Sequence, residues 1–301
     1  MSGEVVNING EIFCDQTLSQ AKVSVFDRGF LFGDSVYEVT GTYSGVIFKI
    51  DEHLDRLWKS SSRIGMDIPF TRNEIIFEIE KTLKALNKDS AYIRLIITRG
   101  EGEIGLDPGL GQQCNMVIIT REFPENPSWW YDKGVEMIIA DIQRTPKEAV
   151  DPNVKSGNYL NNVLAYSEAR KQGAFDAIML NRDGHVTEGT TSNIWIVEKD
   201  RLITPPVKAG LLEGITRQTL IGLCREENIG LSEENFGPDR LLAAQECFLT
   251  SSTKQLVPIT KINKKPIGSG LPGDTTKKLL KIYRKHVDEY VKMRRISQNH
   301  V

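Results

Sequence analysis

The chain has 301 residues, 40% of them apolar and 26% charged, with a formal net charge of −2. That length suits two domains better than one core, and the balance is ordinary for a globular protein. A charge so near neutrality gives no reason to expect nucleic acid or an anionic membrane surface as a partner, and no apolar run is long enough to span a bilayer.

The cysteines, at positions 14, 114, 224 and 247, form no CxxC pair and show no metal-ligand spacing; they read as reduced thiols of a cytoplasmic protein. The histidines, at 53, 185, 286 and 300, show no HExxH-like arrangement, so no metal is expected. The first residues lack the basic and apolar regions of a signal peptide.

In chain order, residues 5–13 read as two short strands around Asn9-Gly10, because both central positions of a tight hairpin turn need positive φ. Residues 21–25 read as a further short strand, and 27–35 as a glycine-punctuated loop. Residues 36–43 alternate and turn at Ser44-Gly45 into 46–49, a hairpin. Asp51 is placed as the cap of a helix carrying Leu54, Leu57, Trp58 and Ile64. Thr71 and Glu74 have capping-box spacing, with a helix to about Leu86. Residues 91–98 and 115–120 are strand-like. The Gly-rich loop between them does not precede a helix at GxGxxG spacing, so it is not a dinucleotide fingerprint.

A boundary near residue 125 gives blocks 1–125 and 126–301. The second holds a strand at 135–140, a loop around Lys155, and a helix from about Leu160 to Gln172 ended by Gly173. A strand at 175–180, a turn at 181–184, a hairpin of 194–197 with 202–204, a helix from Gly214 to about Asn228 and a strand at 246–249 follow. A last helix starts after Pro272-Gly273-Asp274. Its basic residues, Lys277 to Arg295, alternate with apolar ones at helical spacing and read as a solvated face.

The stretch with chemical content runs from Lys155 to Asn193. Lys155 precedes Gly157, where the chain can bend tightly, and a cluster of Asn and Tyr. A desolvated lysine amine can act as nucleophile or base. Glu188, within Thr187-Glu188-Gly189-Thr190-Thr191-Ser192-Asn193, is either part of a polar turn or a carboxylate that stabilises a cation. Gly214-Ile215-Thr216-Arg217 opens a helix whose first N–H groups either are capped by Thr216 or bind an anion such as phosphate. Ser251-Ser252 could form a second wall of that site, and Arg56 could supply a neutralising cation or be an ordinary exposed helix residue.

Order and spacing convert these signals. Lys155, Tyr159, Glu188, Ile215-Thr216 and Ser251-Ser252 resemble the signature of the fold-type IV pyridoxal-phosphate enzymes, the class IV aminotransferases. The resemblance covers nearly the whole chain, from Asp27-Arg28-Gly29 to Phe248-Leu249-Thr250-Ser251-Ser252. It implies a two-domain fold, with a smaller N-terminal α/β domain and a larger C-terminal domain around a mixed, barrel-like sheet. It implies pyridoxal 5′-phosphate bonded to the Lys155 amine, with Lys155 also moving the proton at the substrate α-carbon. Tyr159 is implied for the cofactor's phenolate oxygen and Glu188 for its ring nitrogen. Arg56, the N–H groups of Ile215 and Thr216, and Ser251-Ser252 are implied for the phosphate, with Leu212 against the ring face. Members are usually homodimers or larger, and a loop of one subunit reaches the other's site.

Within the family, Tyr92-Ile93-Arg94 and the downstream Gly105-Leu106-Asp107-Pro108 resemble the branched-chain-amino-acid aminotransferases. That likeness implies Arg94 for an acidic co-substrate and Tyr37 and Tyr92 for the substrate pocket. Tyr37-Glu38-Val39-Thr40-Gly41 is closer to D-amino-acid transaminases, but their Arg-x-His carboxylate trap is replaced here by Ile104-Gly105-Leu106. The reading is therefore a branched-chain-type aminotransferase that passes the amine of an aliphatic L-amino acid to 2-oxoglutarate or a similar 2-oxo acid, by a ping-pong cycle through the pyridoxamine form. Transamination of D-amino acids or (R)-amines, an aminodeoxychorismate lyase, and a pyridoxal-phosphate-binding protein without transaminase activity stand as alternatives.

Overall fold

The computed structural model describes residues 3–298, so His300 lies outside the described residues. Contacts divide the chain into two units. The first comprises Met1–Pro124, Val154–Asn158 and Glu289–Val301; the second comprises Glu125–Asn153 and Tyr159–Asp288. The short segment around Lys155 and the stretch from Glu289 onward thus depart from the contiguous blocks 1–125 and 126–301.

The first unit contains β1 (Glu4–Ile8), β2 (Glu11–Cys14), α1 (Arg28–Phe32), β3 (Ser35–Tyr43), β4 (Val46–Ile47), α2 (Ile50–Arg63), α3 (Arg72–Leu86), β5 (Ala91–Thr98) and β6 (Asn115–Glu122). Its strands form one antiparallel sheet in the order β2-β1-β6-β5-β3-β4. Side chains alternate along β5. Ile93, Leu95 and Ile97 join Val36 and Ile118 on the face that packs against Leu54 and Leu57 of α2 and Ile75 and Ile79 of α3. Tyr92 and Arg94 take the other face, as does Tyr37 of β3.

Local chemistry sets the ends of these elements. Asn9 and Gly10 adopt the positive φ that the first hairpin needs. In α3 the Thr71–Glu74 capping box forms as expected. The cap of α2 is Lys49, in the left-handed region, rather than Asp51; Asp51 lies in the first turn, where its charge suits the helix dipole. Residues 21–25 are not a strand: they find no sheet edge to pair with, and Val25 is exposed. The loop expected at 27–35 contains α1, because Asp27 accepts from Gly29 N–H (2.7 Å) and Gly33 closes the turn at φ 68°.

The second unit contains α4 (Trp129–Asp132), β7 (Val135–Ile139), α5 (Leu160–Lys171), β8 (Asp176–Leu180), β9 (Val186–Gly189), β10 (Asn193–Glu198) and β11 (Arg201–Thr204). There follow α6 (Ile215–Glu226), β12 (Leu231–Glu233), α7 (Pro238–Leu242), β13 (Glu246–Ser251), β14 (Gln255–Ile262), β15 (Lys265–Pro266) and α8 (Asp274–Gln298), which continues past Asp288. The path β10-β13-β14-β7-β8-β9 returns to β10 through one more pairing and so closes a mixed barrel of six strands. Its core is built from Met137, Ile178, Val186, Ile194, Ile196, Leu249, Val257 and Ile259. Ala165 and Ala169 of α5 pack against Ala177 and Met179 of β8, where small side chains let helix and strand approach. Strand β14 is an addition to the elements expected from sequence, because it carries Pro258, which donates no ladder bond. The barrel accommodates it: parallel pairing with β7 begins one residue later, at Ile259, and a register shift follows by Lys261.

Among the described residues no helix is long and apolar enough to cross a membrane, and Cys14, Cys114, Cys224 and Cys247 are free. The first unit's core supplies a direct check. Leu54 is fully buried, so Leu54→Ala should cost about 2–5 kcal/mol. Exposed Phe77 on α3, changed to Ala, should stay within about 0.5 kcal/mol of wild type in the same urea titration.

Candidate active site

Lys155 sits in the first unit on an edge that the sheet leaves open. β5 pairs with β3 along residues 35–41, and β4 covers the other side of β3 only at Thr42 and Tyr43. Residues 155–157 take the vacant stretch. The Lys155 carbonyl accepts from Tyr37 N–H (2.9 Å), Gly157 N–H donates to the Ser35 carbonyl (2.9 Å), and Ser156 bridges Val36. Lys155 N–H donates to Ser60 Oγ of α2 at 3.1 Å. A side chain at Gly157 would place its Cβ 2.3 Å from Ser35 Oγ, so the close approach needs glycine.

Lys155 is only 9% exposed, and its Nζ lies 4.3 Å from the centroid of the Tyr37 ring. The guanidinium of Arg94 lies 4.2 Å from the same ring. Tyr92, two residues along β5, packs by Arg121 and Phe123. The substrate residues expected from sequence thus share one sheet face, with Tyr37 flanked by the lysine and by Arg94.

Arg56 occupies the other, helix-covered face. Its Nε and Nη2 donate to the two carboxylate oxygens of Glu38, each at 2.7 Å, and His53, one helical turn earlier, meets Glu38 through Nδ1 at 2.7 Å. All three are buried. Burial opposes the Glu38 charge, but Arg56 and His53 outweigh it and hold the carboxyl down at about 2. Burial depresses His53 below the usual histidine value despite its bond to Glu38, so the ring is neutral and presents Nδ1–H to the carboxylate; Nε2 is buried without a partner. Arg56 is therefore no exposed helix residue: its planar fork is fixed by a carboxylate. The His53–Arg56 spacing and the position of Glu38 in its strand are visible in the sequence, but nothing local there announces the triad.

In the second unit, Glu188 lies at the end of the barrel where three strands meet. Asn193 of β10 pairs with Glu188 of β9 and with Thr250 of β13, one residue before Ser251. Glu188 Oε1 accepts from Arg144 Nε (2.7 Å) and Oε2 from Leu212 N–H (3.0 Å). The neighbouring hydroxyls serve the loop: Thr187 donates to the Met179 carbonyl and Thr190 to Asp176. Arg144 escaped the sequence reading because one arginine in a loop between strand and helix has no periodic signal. Asn193 Nδ2 donates to the Leu212 carbonyl (2.9 Å), and a Cβ on Gly214 would come within 2.1 Å of Asn193 Oδ1. Gly214, not Thr216, is the cap of α6, and no side chain caps that helix; Ile215 and Thr216 stand in its first turn. Ser251 Oγ accepts from Lys254 N–H (3.2 Å), and Tyr159 is the cap residue of α5.

Taken unit by unit, these groups suit the separate parts of a phosphorylated aromatic aldehyde with a basic ring nitrogen. An uncapped helix start offers N–H groups to a phosphate, a held carboxylate suits a protonated ring nitrogen, and a buried amine suits an aldehyde.

Comparison with known proteins agrees in character. The family model for amino-transferase class IV matches residues 35–262. A putative branched-chain-amino-acid aminotransferase of Methanocaldococcus jannaschii is 40% identical over 91% of this chain and 93% of its own. A D-alanine aminotransferase of Bacillus licheniformis is 37% identical over 86% of this chain and 89% of its own. Among solved structures, the branched-chain amino acid aminotransferase from Thermobaculum terrenum, in its PLP-bound holo-form, superposes with a TM-score of 0.82 at 29% identity, covering 94% of this chain and 93% of that one.

The buried triad has a stability signature. Glu38→Gln removes the carboxylate charge that meets the buried Arg56 guanidinium and should cost about 3–5 kcal/mol. Acid should act through both titrating members. Each has a folded value below its unfolded one, so each contributes stability at high pH that is lost on acidification: His53 from about pH 6.5 downward, Glu38 from about 4.3 toward 2. In His53→Gln the fall in melting temperature just below pH 6.5 should flatten; a slope identical to wild type would rule His53 out as its source.

Proposed function

This chain belongs to the class IV aminotransferase family, and we propose that it moves the amino group of a branched-chain L-amino acid to a 2-oxo acid such as 2-oxoglutarate. Aminotransferases of this class use pyridoxal 5′-phosphate. When bound, its ring draws electron density from the substrate α-carbon and makes the α-proton removable.

Each residue then has a task. The Lys155 amine would hold the cofactor through its aldehyde, and Nζ, when free, would take and return the proton at the substrate α-carbon. Tyr159 donates to the phenolate oxygen. Glu188 keeps the ring nitrogen protonated. Arg56, the first N–H groups of α6 at Ile215 and Thr216, and Ser251-Ser252 bind the phosphate. Leu212 packs on the ring, and its N–H, bonded to Glu188, ties that contact to the carboxylate.

The observation that carries the substrate reading is Tyr37 between two cations on one sheet face, Lys155 at 4.3 Å and Arg94 at 4.2 Å. Arg94 supplies the planar donor pair that an acidic co-substrate's carboxylate needs, while Tyr37 and Tyr92 line the side-chain pocket. A D-amino-acid reading draws on the Bacillus licheniformis relative and on the run from Tyr37 to Gly41. Against it, Ile104 and Leu106 stand exposed where that chemistry would need basic residues.

We further propose a homodimer or larger assembly. Leu160, Val163, Leu164 and Tyr166 stand exposed along α5, an apolar stripe that a second copy would cover.

Half-reactions separate the readings. Purified protein loaded with pyridoxal phosphate should lose its visible absorbance on mixing with L-leucine. Bleaching by D-alanine but not by L-leucine would contradict the proposal, and bleaching by neither L-leucine nor D-alanine but by a primary amine would point to amine transamination. Arg94→Leu should raise KM for 2-oxoglutarate about tenfold or more, the equivalent of a lost charge-assisted hydrogen bond, and leave the L-leucine half-reaction far less affected.

A further inference from the structure

Glu188 is not alone. Its side chain is 6% exposed and that of Arg144 10%, and the two meet at 2.7 Å. A carboxylate offers about four acceptor positions. Arg144 takes one on Oε1 and Leu212 N–H one on Oε2, so both oxygens are fixed in direction. Arg144 is itself built in. Its backbone N–H donates to the Leu180 carbonyl (2.8 Å) and its Nη2 to the Pro152 carbonyl (3.4 Å). The flanking loop is tied to α5 by Asn161, whose Nδ2 donates to the Gln143 carbonyl (2.8 Å) and whose Oδ1 accepts from Thr145 N–H (3.3 Å).

We propose that Arg144 is the positioning residue for the ring-nitrogen carboxylate: it aims Glu188 and keeps the proton they share on the ring rather than on the carboxylate. The inference rests on Glu188 being the partner of the ring nitrogen. One proton lies between a carboxylate and a pyridine nitrogen. A guanidinium bonded directly to the carboxylate favours its charged form, and in a site closed to solvent that preference is little screened. The proton then resides on the nitrogen, where it makes the ring an electron acceptor. Without Arg144 the buried carboxylate competes for the proton and loses an orienting bond.

Nitrogen NMR tests this on holoenzyme loaded with pyridoxal phosphate labelled at the ring nitrogen, comparing wild type, Glu188→Gln, Arg144→Met and Arg144→Lys. The expected result is that Arg144→Met moves the ring-nitrogen signal toward the unprotonated position, in the direction Glu188→Gln moves it. Arg144→Lys, which keeps the charge, should remain near wild type. In the same variants kcat for transamination should fall with Arg144→Met by a larger factor than KM changes. A wild-type signal in Arg144→Met, with Glu188→Gln shifted, would overturn the role of Arg144. An unshifted Glu188→Gln would overturn the premise about Glu188 and the inference with it. Should Arg144→Met not fold, Arg144→Gln takes its place and is read by the same two outcomes.

Discussion

The structure depends on an incomplete strand pairing. β4 is too short to cover β3, and the stretch from Ser35 to Glu38 is left with unpaired backbone groups that must find partners when buried. Residues 155–157 fill it as a short antiparallel addition. Lys155 therefore belongs to the first unit, although the chain on both sides of its segment belongs to the second. Its main chain is fixed by ladder hydrogen bonds and by Ser60, which leaves only the side-chain torsions adjustable. The base proposed at Lys155 would gain from such an anchor, because the cost of ordering the backbone has been met in folding.

The same strand distributes chemistry to two faces. Tyr37 points to the face it shares with Arg94, and Glu38, the next residue, points to the helix face, where it binds His53 and Arg56. A slip of one residue in the β3–β5 register would exchange the two. That register is over-determined by Val36, Ile93, Leu95 and Ile97, which must face the helices. In the second unit closure of the barrel does comparable work: Glu188, Asn193 and Thr250 are aligned by strand pairing, and Asn193 extends the alignment through Leu212 to the start of α6.

Elements with their own local signal were legible in the sequence. The Asn9-Gly10 hairpin, the Thr71–Glu74 capping box and the helix ended by Gly173 are each encoded within a few residues. Elements that exist because of a distant partner were not. β14 carries a proline that local rules exclude from a sheet interior, and it holds because β13 and β7 flank it. Residues 21–25 have strand-forming side chains and no edge to join. The same division holds in the candidate site. Lys155, Tyr159, Glu188 and Ile215-Thr216 could be named from motif order. The partners of two of them, Ser60 for Lys155 and Arg144 for Glu188, lie tens of residues away and become visible only in the folded chain, as does the Glu38 carboxylate that meets His53 and Arg56 through the packing of α2.

The central claim is that the amine anchored on the open edge of β3 is the one that bonds the cofactor. Borohydride reduction of the holoenzyme followed by peptide mass spectrometry tests it most directly. The account predicts a phosphopyridoxyl group on the peptide containing Lys155, and on that lysine within it. A group on any other lysine, or an unlabelled Lys155 in protein that has bound the cofactor, would contradict it.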